Sequence, residues 1–207
     1  MDKSEAPRQR AQGELWLDGA LGLLAEGGVE AVTVTALARR LGLTRTGFYW
    51  HFRDRDALLE AMVQRWEEKN TGNLVARCEA FAETVSEAML NLFDCWVDPA
   101  LFDSRLDLAI RNWARNDPAL QARLDAADAV RRRAVTGLFA RFGFAPDEAE
   151  VRALTVLYTQ IGYISMRVTE PWEVRAARVP AYVRVFTGQT PSEAEMARFL
   201  ARNAPAR

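Results

Sequence analysis

The chain has 207 residues, enough for one medium domain or a small domain joined to a larger one, and 49% of it is hydrophobic, which supports a sizeable core and excludes a disordered chain. Its formal net charge of -1 excludes a uniformly basic nucleic-acid binder. No apolar run reaches the ~18 residues of a membrane span, and the start MDKSEAPRQR lacks the apolar core of a signal peptide, so a cytoplasmic protein with no membrane contact is expected.

The periodicity is helical almost throughout, and no alternating strand pattern stands out. Residues 1–7 are expected to be disordered. A first helix is predicted over 8–26, with Leu17, Ala20, Leu21 and Leu24 on one stripe and Gly27-Gly28 at its end.

Residues 33–55 read TVTALARRLGLTRTGFYWHFRDR and are the most informative stretch. Val34, Leu37, Ala38 and Leu41 share one face of a short helix. Gly42 can take positive φ and end it. Thr44 is a good N-cap for a second short helix, and Leu43 with Phe48 can form a hydrophobic staple across its start. Phe48 and Phe52 then share the buried side, leaving Arg45, Thr46, Tyr49 and Trp50 on or near the other. A helix held from behind, with donors and aromatics at its exposed start, has the design of a helix-turn-helix recognition helix. The stretch holds five arginines (Arg39, Arg40, Arg45, Arg53, Arg55) against one acid, Asp54, a local basic patch on a near-neutral chain. Charge clusters are usually solvated faces; the turn grammar gives this one its meaning.

Asp54 caps a longer helix carrying Leu59, Met62, Val63 and Trp66, and residues 70–73 read as a break or kink. Further helices are predicted over about 83–97, with Val85, Met89, Leu92, Phe93 and Trp96 on one side, and over about 101–115, with Leu106, Ile110 and Trp113. Asp117-Pro118 starts a helix that runs to Phe142, before Gly143. Residues 147–168 form a long helix with Leu154, Tyr158, Ile161, Tyr163 and Ile164. Pro171 ends that region, and Pro180 leaves the helix after it open. Thr190-Pro191-Ser192-Glu193 reads as a capping box opening a short last helix.

The motif identifies the chain as similar to the TetR (tetracycline-repressor-like) family of transcriptional regulators. The resemblance runs from about residue 14 to 63. It rests on ALGLLAEGG, the Thr33 and Thr35 pair, LARRLGLTRTGFYWHF and RDRDALL. It implies an all-α protein with an N-terminal three-helix helix-turn-helix DNA-binding domain (1–55) and a larger C-terminal helical ligand-binding and dimerisation domain (56–207). It also implies a homodimer on a double-stranded, pseudo-palindromic DNA operator, with a small-molecule effector in the C-terminal domain. Carried over position by position, Thr33 and Thr35 touch the DNA backbone, while Arg45 and Thr46 reach base edges beside the cap Thr44. Gly47 allows close approach, Tyr49 and His51 contact phosphate, and Trp50 lies against sugar or a thymine methyl. Arg55, often lysine in the family, holds a phosphate. Arginine directly after Thr44 points to a guanine in each half-site through O6 and N7.

Phe93, Trp96, Arg111, Trp113, Tyr158 and Met166 are candidates for the lining of an effector cavity, although core packing accounts for most such residues individually. Arg111 lies on an apolar helix and needs a partner, either Asp107 or an anionic effector. Leu154, Tyr158, Ile161 and Tyr182 are candidates for the dimer interface, or else they close the monomer core. Arg131-Arg132-Arg133 reads as solvated or salt-bridged surface, because its side chains point about 100° apart on a helix. Cys78 and Cys95 read as buried thiols.

His51 is the single histidine, so histidine-rich metal sites and general-base pairs are nearly excluded, and no cofactor and no metal are expected. The expected function is a sequence-specific transcriptional regulator, a repressor released from its operator by its effector, and not an enzyme. The alternatives are a helical adaptor or ligand carrier without sequence-specific DNA binding, and an enzyme or cofactor carrier built as a helical bundle.

Overall fold

The computed structural model describes residues 5–204, with side chains from residue 11 onward. The fold is all-α, with no strand among the described residues. Eleven α-helices follow in order: α1 Glu5–Gly27, α2 Val34–Leu41, α3 Arg45–Phe48, α4 Arg55–Trp66, α5 Asn73–Glu79, α6 Val85–Val97, α7 Ser104–Ala114, α8 Pro118–Arg141, α9 Pro146–Ser165, α10 Trp172–Thr187 and α11 Glu193–Asn203. The expected disordered stretch 1–7 falls partly outside the described residues; residues 5–7 belong to α1. The chain forms two compact units, one of Met1–Glu68 with Arg105–Ala122 and one of Lys69–Ser104 with Arg123–Arg207.

Local signals set the first unit. Thr33 caps α2, its hydroxyl accepting from the Ala36 N–H at 3.1 Å. Gly42, at φ 65°, ends α2, and the N–H groups of Gly42 and Leu43 return to the Arg39 and Ala38 carbonyls in a Schellman arrangement. Thr44 caps α3 through the Gly47 N–H at 3.2 Å, and Asp54 caps α4 through the Ala57 N–H at 2.8 Å. α1 packs on α2 and α4. Their shared core holds Trp16, Leu24, Leu37, Phe48, Leu58, Met62 and Trp66. Trp16 is fully buried beside the expected Leu17–Ala20–Leu24 stripe, and Leu58 is buried more deeply than the expected Leu59. Burying rings of this size contributes more to the stability of a short domain than any single hydrogen bond in it.

α6 is the axis of the second unit. Eleven of its residues, Val85 to Trp96 apart from Glu87, are buried, and α5, α10 and α11 pack on it. α11 is held to α6 by polar contacts: Arg198 to Glu87, Asn203 to Asp94, and the buried Glu195 to the Thr84 hydroxyl.

Four sequence expectations change. Residues 70–73 do not break the chain; a π-helical turn, Glu67–Gly72, runs straight into α5. The Asn70 side chain donates to the Asp103 carbonyl and accepts from its N–H, both at 3.0 Å, so that turn is fixed by a partner segment and not by propensity. The last capping box forms two residues later than expected, between Ser192 and Glu195, and not from Thr190. Pro180 lies inside α10 without ending it. Arg131 is buried, donating to the Thr71 hydroxyl at 3.0 Å with its guanidinium 5.4 Å from the Phe102 ring centre, while Arg132 pairs with Glu150 at the surface.

Candidate nucleic-acid interface

The turn between α2 and α3 presents one exposed face. Thr33, Thr35, Thr44, Arg45, Thr46, Tyr49 and Trp50 are all exposed, Trp50 to 75%. Trp50, an aromatic this large in solvent, stands two residues from the fully buried Phe48. The hydroxyls of Thr33 and Thr44 accept from backbone N–H groups, which leaves each O–H free to donate outward.

Phe48 anchors this face from behind. Its ring meets Trp16 edge-on at 5.5 Å between centroids, stacks on Phe52 at 5.5 Å and meets Tyr49 edge-on at 5.3 Å. The regular helix is shorter than the sequence indicated: α3 ends at Phe48, and residues 49–51 form a turn in which the N–H groups of His51 and Phe52 both return to the Phe48 carbonyl. Gly47 is half-buried over Trp16; a Cβ there would meet the Thr44 hydroxyl at 3.4 Å and the Trp16 ring at 3.9 Å. His51 is half-buried beside α1, where a Cβ on Gly13 would lie 3.5 Å from Nδ1.

The basic patch is smaller in space than in sequence. Arg40 is ion-paired with Glu26 from α1, and Arg53 with Asp54. Hydrogen bonds from Arg40 hold the Glu26 carboxyl below the usual carboxylate range, and the N–H of Ala57 with the guanidinium of Arg53 do the same for Asp54. Arg55, expected to hold a phosphate, also serves the fold of the turn. Its Nε donates to the Val32 carbonyl at 2.7 Å and its other nitrogen to the Val29 carbonyl at 2.8 Å, so the guanidinium closes the 3-10 turn ahead of α2. Among the described residues, Arg39, Arg45 and Arg55 are the cations of this patch with no ion-pair partner, and Arg55 directs two of its donors to backbone carbonyls.

The second unit carries an open cleft of ≈ 510 Å³, counting its mouth, between α6, α9 and α10. Phe93 and Trp96, two of the sequence candidates for an effector cavity, line it. Tyr182, expected at the dimer interface, lines it as well. Gln160, Tyr163, Glu170 and Arg175 are lining residues that the sequence reading did not single out for this role, although Val156, Gln160 and Tyr163 share one face of α9 at helical spacing. Arg111 and Trp113 do not line this cleft. Arg111 lies in the first unit, where its Nε donates to the buried Asp107 at 2.8 Å, and the second Asp107 oxygen accepts from Trp66 Nε1 at 2.9 Å; Asp107 is thus the partner that Arg111 required. Tyr158 and Met166 point to solvent, 65% and 78% exposed, and are not part of the cleft.

Leu154 and Ile161 are half-buried, and Tyr158 is the most exposed of the dimer candidates. Val151 and Val185 are also exposed on α9 and α10, which leaves large apolar side chains on the outside of both helices. Among the described residues no cluster of His, Cys, Asp and Glu could hold a metal, and no helix is long and apolar enough to cross a membrane. Both cysteines are buried, and burial pushes the thiol of Cys95 up to about 12 and that of Cys78 upward as well, so neither is a reactive thiolate.

Residues 17–62 match the bacterial regulatory proteins of the tetR family. The chain is 42% identical over 60 residues to the tetracycline repressor protein class A from transposon 1721 of Escherichia coli, a match covering 29% of this chain and 28% of that protein. It is 32% identical over 106 residues to the HTH-type transcriptional repressor Rv1474c of Mycobacterium tuberculosis, covering 49% of this chain and 50% of that one. The chain thus spans between about a quarter and a half of the length of the curated relatives it matches. A transcriptional regulator of the TerR/AcrR family from Aquifex aeolicus VF5 has the same fold, with a TM-score of 0.63 at 14% identity, over 86% of this chain and 96% of that one. The sequence match lies on the helices that build the exposed face and the fold match extends over most of the chain: residues 17–62 are similar to the bacterial regulatory proteins of the tetR family, and the chain as a whole shares the fold of a solved transcriptional regulator.

Proposed function

We propose that the protein is a sequence-specific DNA-binding transcriptional repressor that works as a homodimer in the cytoplasm and leaves its operator when a small molecule binds. The observation that carries this reading is the α2–Gly42–α3 turn, which exposes Thr44, Arg45 and Thr46 while Phe48 is locked from behind by Trp16. Arg45 reads a guanine through O6 and N7, Thr46 adds a base-edge contact, and Thr33, Thr35, Tyr49 and His51 fix the backbone register. Trp50 lies against sugar or a thymine methyl, and the Thr44 hydroxyl donates to phosphate.

A single short recognition helix reaches few bases, so specificity calls for two copies reading half-sites about 34–36 Å apart. The exposed apolar side chains of α9 and α10 supply a surface on which two copies can pair. The 1–55 segment is then the reading head, and the remainder, with the cleft lined by Phe93 and Trp96, serves pairing and effector binding. The effector acts by linkage: it lowers operator affinity only by its differential affinity for the two arrangements of the dimer, and no bond is made or broken.

The test is fluorescence anisotropy on duplex DNA from the region flanking the protein's own gene, against scrambled duplex, across a salt series. Tight binding to the flanking duplex with weak, steeply salt-dependent binding to the scramble is the expected result. Equal weak binding to both, and no enrichment from a random duplex library, overturns the reading in favour of an adaptor or carrier.

A further inference from the structure

The cleft in the second unit has a definite chemistry. Its walls are aromatic: Phe93 stacks on Phe186 with ring centres 6.3 Å apart and planes at 28°, and Tyr182 stacks on the same ring at 5.8 Å with the same tilt. Near-parallel rings favour a flat apolar guest over a globular one.

The polar groups set the guest's charge. Glu170, the acid in the lining, is already satisfied: it pairs with Arg178 and accepts from the Tyr163 hydroxyl at 2.7 Å. Arg175 has no carboxylate partner among the described residues. It donates to the Trp96 carbonyl at 2.7 Å, and its guanidinium lies 5.1 Å from the Tyr163 ring centre. The lining therefore holds two cations and one anion, with the surplus on Arg175. Gln160 adds a second demand. Its Nε2 is buried and has no hydrogen-bond partner among the described residues, a donor that lacks an acceptor. A cationic guest finds no unpaired acid here; a neutral apolar guest leaves both Arg175 and Gln160 unanswered.

We infer that this cleft binds a small planar aryl carboxylate, its ring against the Phe93, Phe186 and Tyr182 walls, its carboxylate drawn by Arg175 and accepting from Gln160 Nε2. The inference rests on the reading of this cleft as the effector site and gives that effector a chemical class.

The probe pair is 2-naphthoate and 2-naphthamide, equal in shape and different in charge, titrated into the full chain by calorimetry. The acid should bind at least roughly 10-fold more tightly than the amide, the margin expected for hydrogen bonding and attraction to a charged group. Gln160→Leu, which removes an unanswered buried donor and keeps the volume, should weaken naphthoate by roughly 5-fold or more, with the thermal midpoint unchanged or raised. Arg175→Gln should remove the preference for acid over amide; because Arg175 also supports the Trp96 carbonyl, Gln160→Leu is the variant that keeps the test decisive if Arg175→Gln fails to fold. Equal affinity for acid and amide, no binding at millimolar naphthoate, or naphthoate binding untouched by Gln160→Leu each overturns the assignment. Operator discrimination measured on the same preparation separates the two readings: if it persists while naphthoate fails, the effector class alone is wrong. If discrimination is absent, the repressor reading falls, and the calorimetry still decides the chemistry of the cleft.

Discussion

Arg55 reaches back across more than twenty residues to donate to the Val32 carbonyl at 2.7 Å, and with a second nitrogen it holds the Val29 carbonyl at 2.8 Å. A side chain at the start of α4 thus fixes the turn that delivers Thr33 to the start of α2. Arg55→Ala leaves two partly buried carbonyls without their donor. It should destabilise the first unit by roughly 1.5–3 kcal/mol, the range for hydrogen bonds to a charged group. Lysine cannot make the forked contact and should recover less than half of the loss. Urea unfolding of the two variants checks the magnitude. The salt dependence of DNA binding checks the role: a phosphate contact would lower the slope by about 1, whereas a structural Arg55 leaves it unchanged.

Arg45 should behave in the opposite way. It is exposed and has no ion-pair partner among the described residues, so Arg45→Ala should move stability by no more than about 0.5 kcal/mol. On the operator it should cost about 1–3 kcal/mol, and the loss should be confined to sequences with the preferred base at one position of each half-site. Binding measured across a set of singly substituted duplexes decides between base reading and a phosphate contact, which would weaken all sequences alike.

Phe48 tests the support behind the reading face. It is fully buried, with three aromatic neighbours within 5.5 Å between ring centres. Phe48→Ala should cost about 3–5 kcal/mol, as truncations of buried aromatics do. Phe48→Leu keeps most of the volume and should cost less, so at low temperature its operator binding isolates the effect of loosened support from the effect of unfolding. A leucine variant with full affinity and full specificity would show that the ring contacts serve stability alone.

These three positions also mark what is legible in a sequence of this kind. The caps at Thr44 and Asp54 and the positive-φ Gly42 are signals that act within one to four residues, and the structure forms each where the sequence places it. Phe48 is legible because it repeats with Phe52 at helical spacing. The acceptors of Arg55 lie 23 and 26 residues away, and no local pattern announces them. Arg131 was hidden by its neighbours: three consecutive arginines look alike in sequence, and only the third dimension puts one of them on Thr71 and Phe102. The cleft was half legible for the same reason. Phe93 and Trp96 advertise themselves by size, whereas Gln160 and Arg175 acquire meaning from charges and rings on other helices.

Acid should weaken the attachment of α11. Burial raises the Glu195 carboxyl, but the Thr84 hydroxyl and the N–H and hydroxyl of Ser192 outweigh it and hold the group below the usual carboxylate range. A lowered folded-state pKa means that Glu195 contributes stability fully present above its unfolded value of about 4.3, and lost as the pH falls through the folded value. Glu195→Gln should therefore lower the melting temperature at pH 7, with the gap to the unmodified protein closing below about pH 4. A gap that stays constant down to pH 3 would mean that the hydrogen bonds matter and the charge does not.

The pairing of two copies can be broken at one residue. Tyr158 is 65% exposed on α9, with Val151 about two turns before it on the same side. An aromatic of this kind at the centre of an apolar interface carries a disproportionate share of its energy, often 2 kcal/mol or more on truncation. In a monomer, Tyr158→Asp at this exposed position should change the unfolding free energy of the isolated chain by no more than about 0.5 kcal/mol. In a dimer it buries an unpaired charge in both halves at once. Sedimentation velocity should show the mass halved at micromolar protein, and operator affinity should drop by at least roughly 30-fold, while a single half-site duplex is bound as before. If the variant still sediments as the unmodified protein does, pairing uses another surface, and the exposed aromatics of α9 need a different partner.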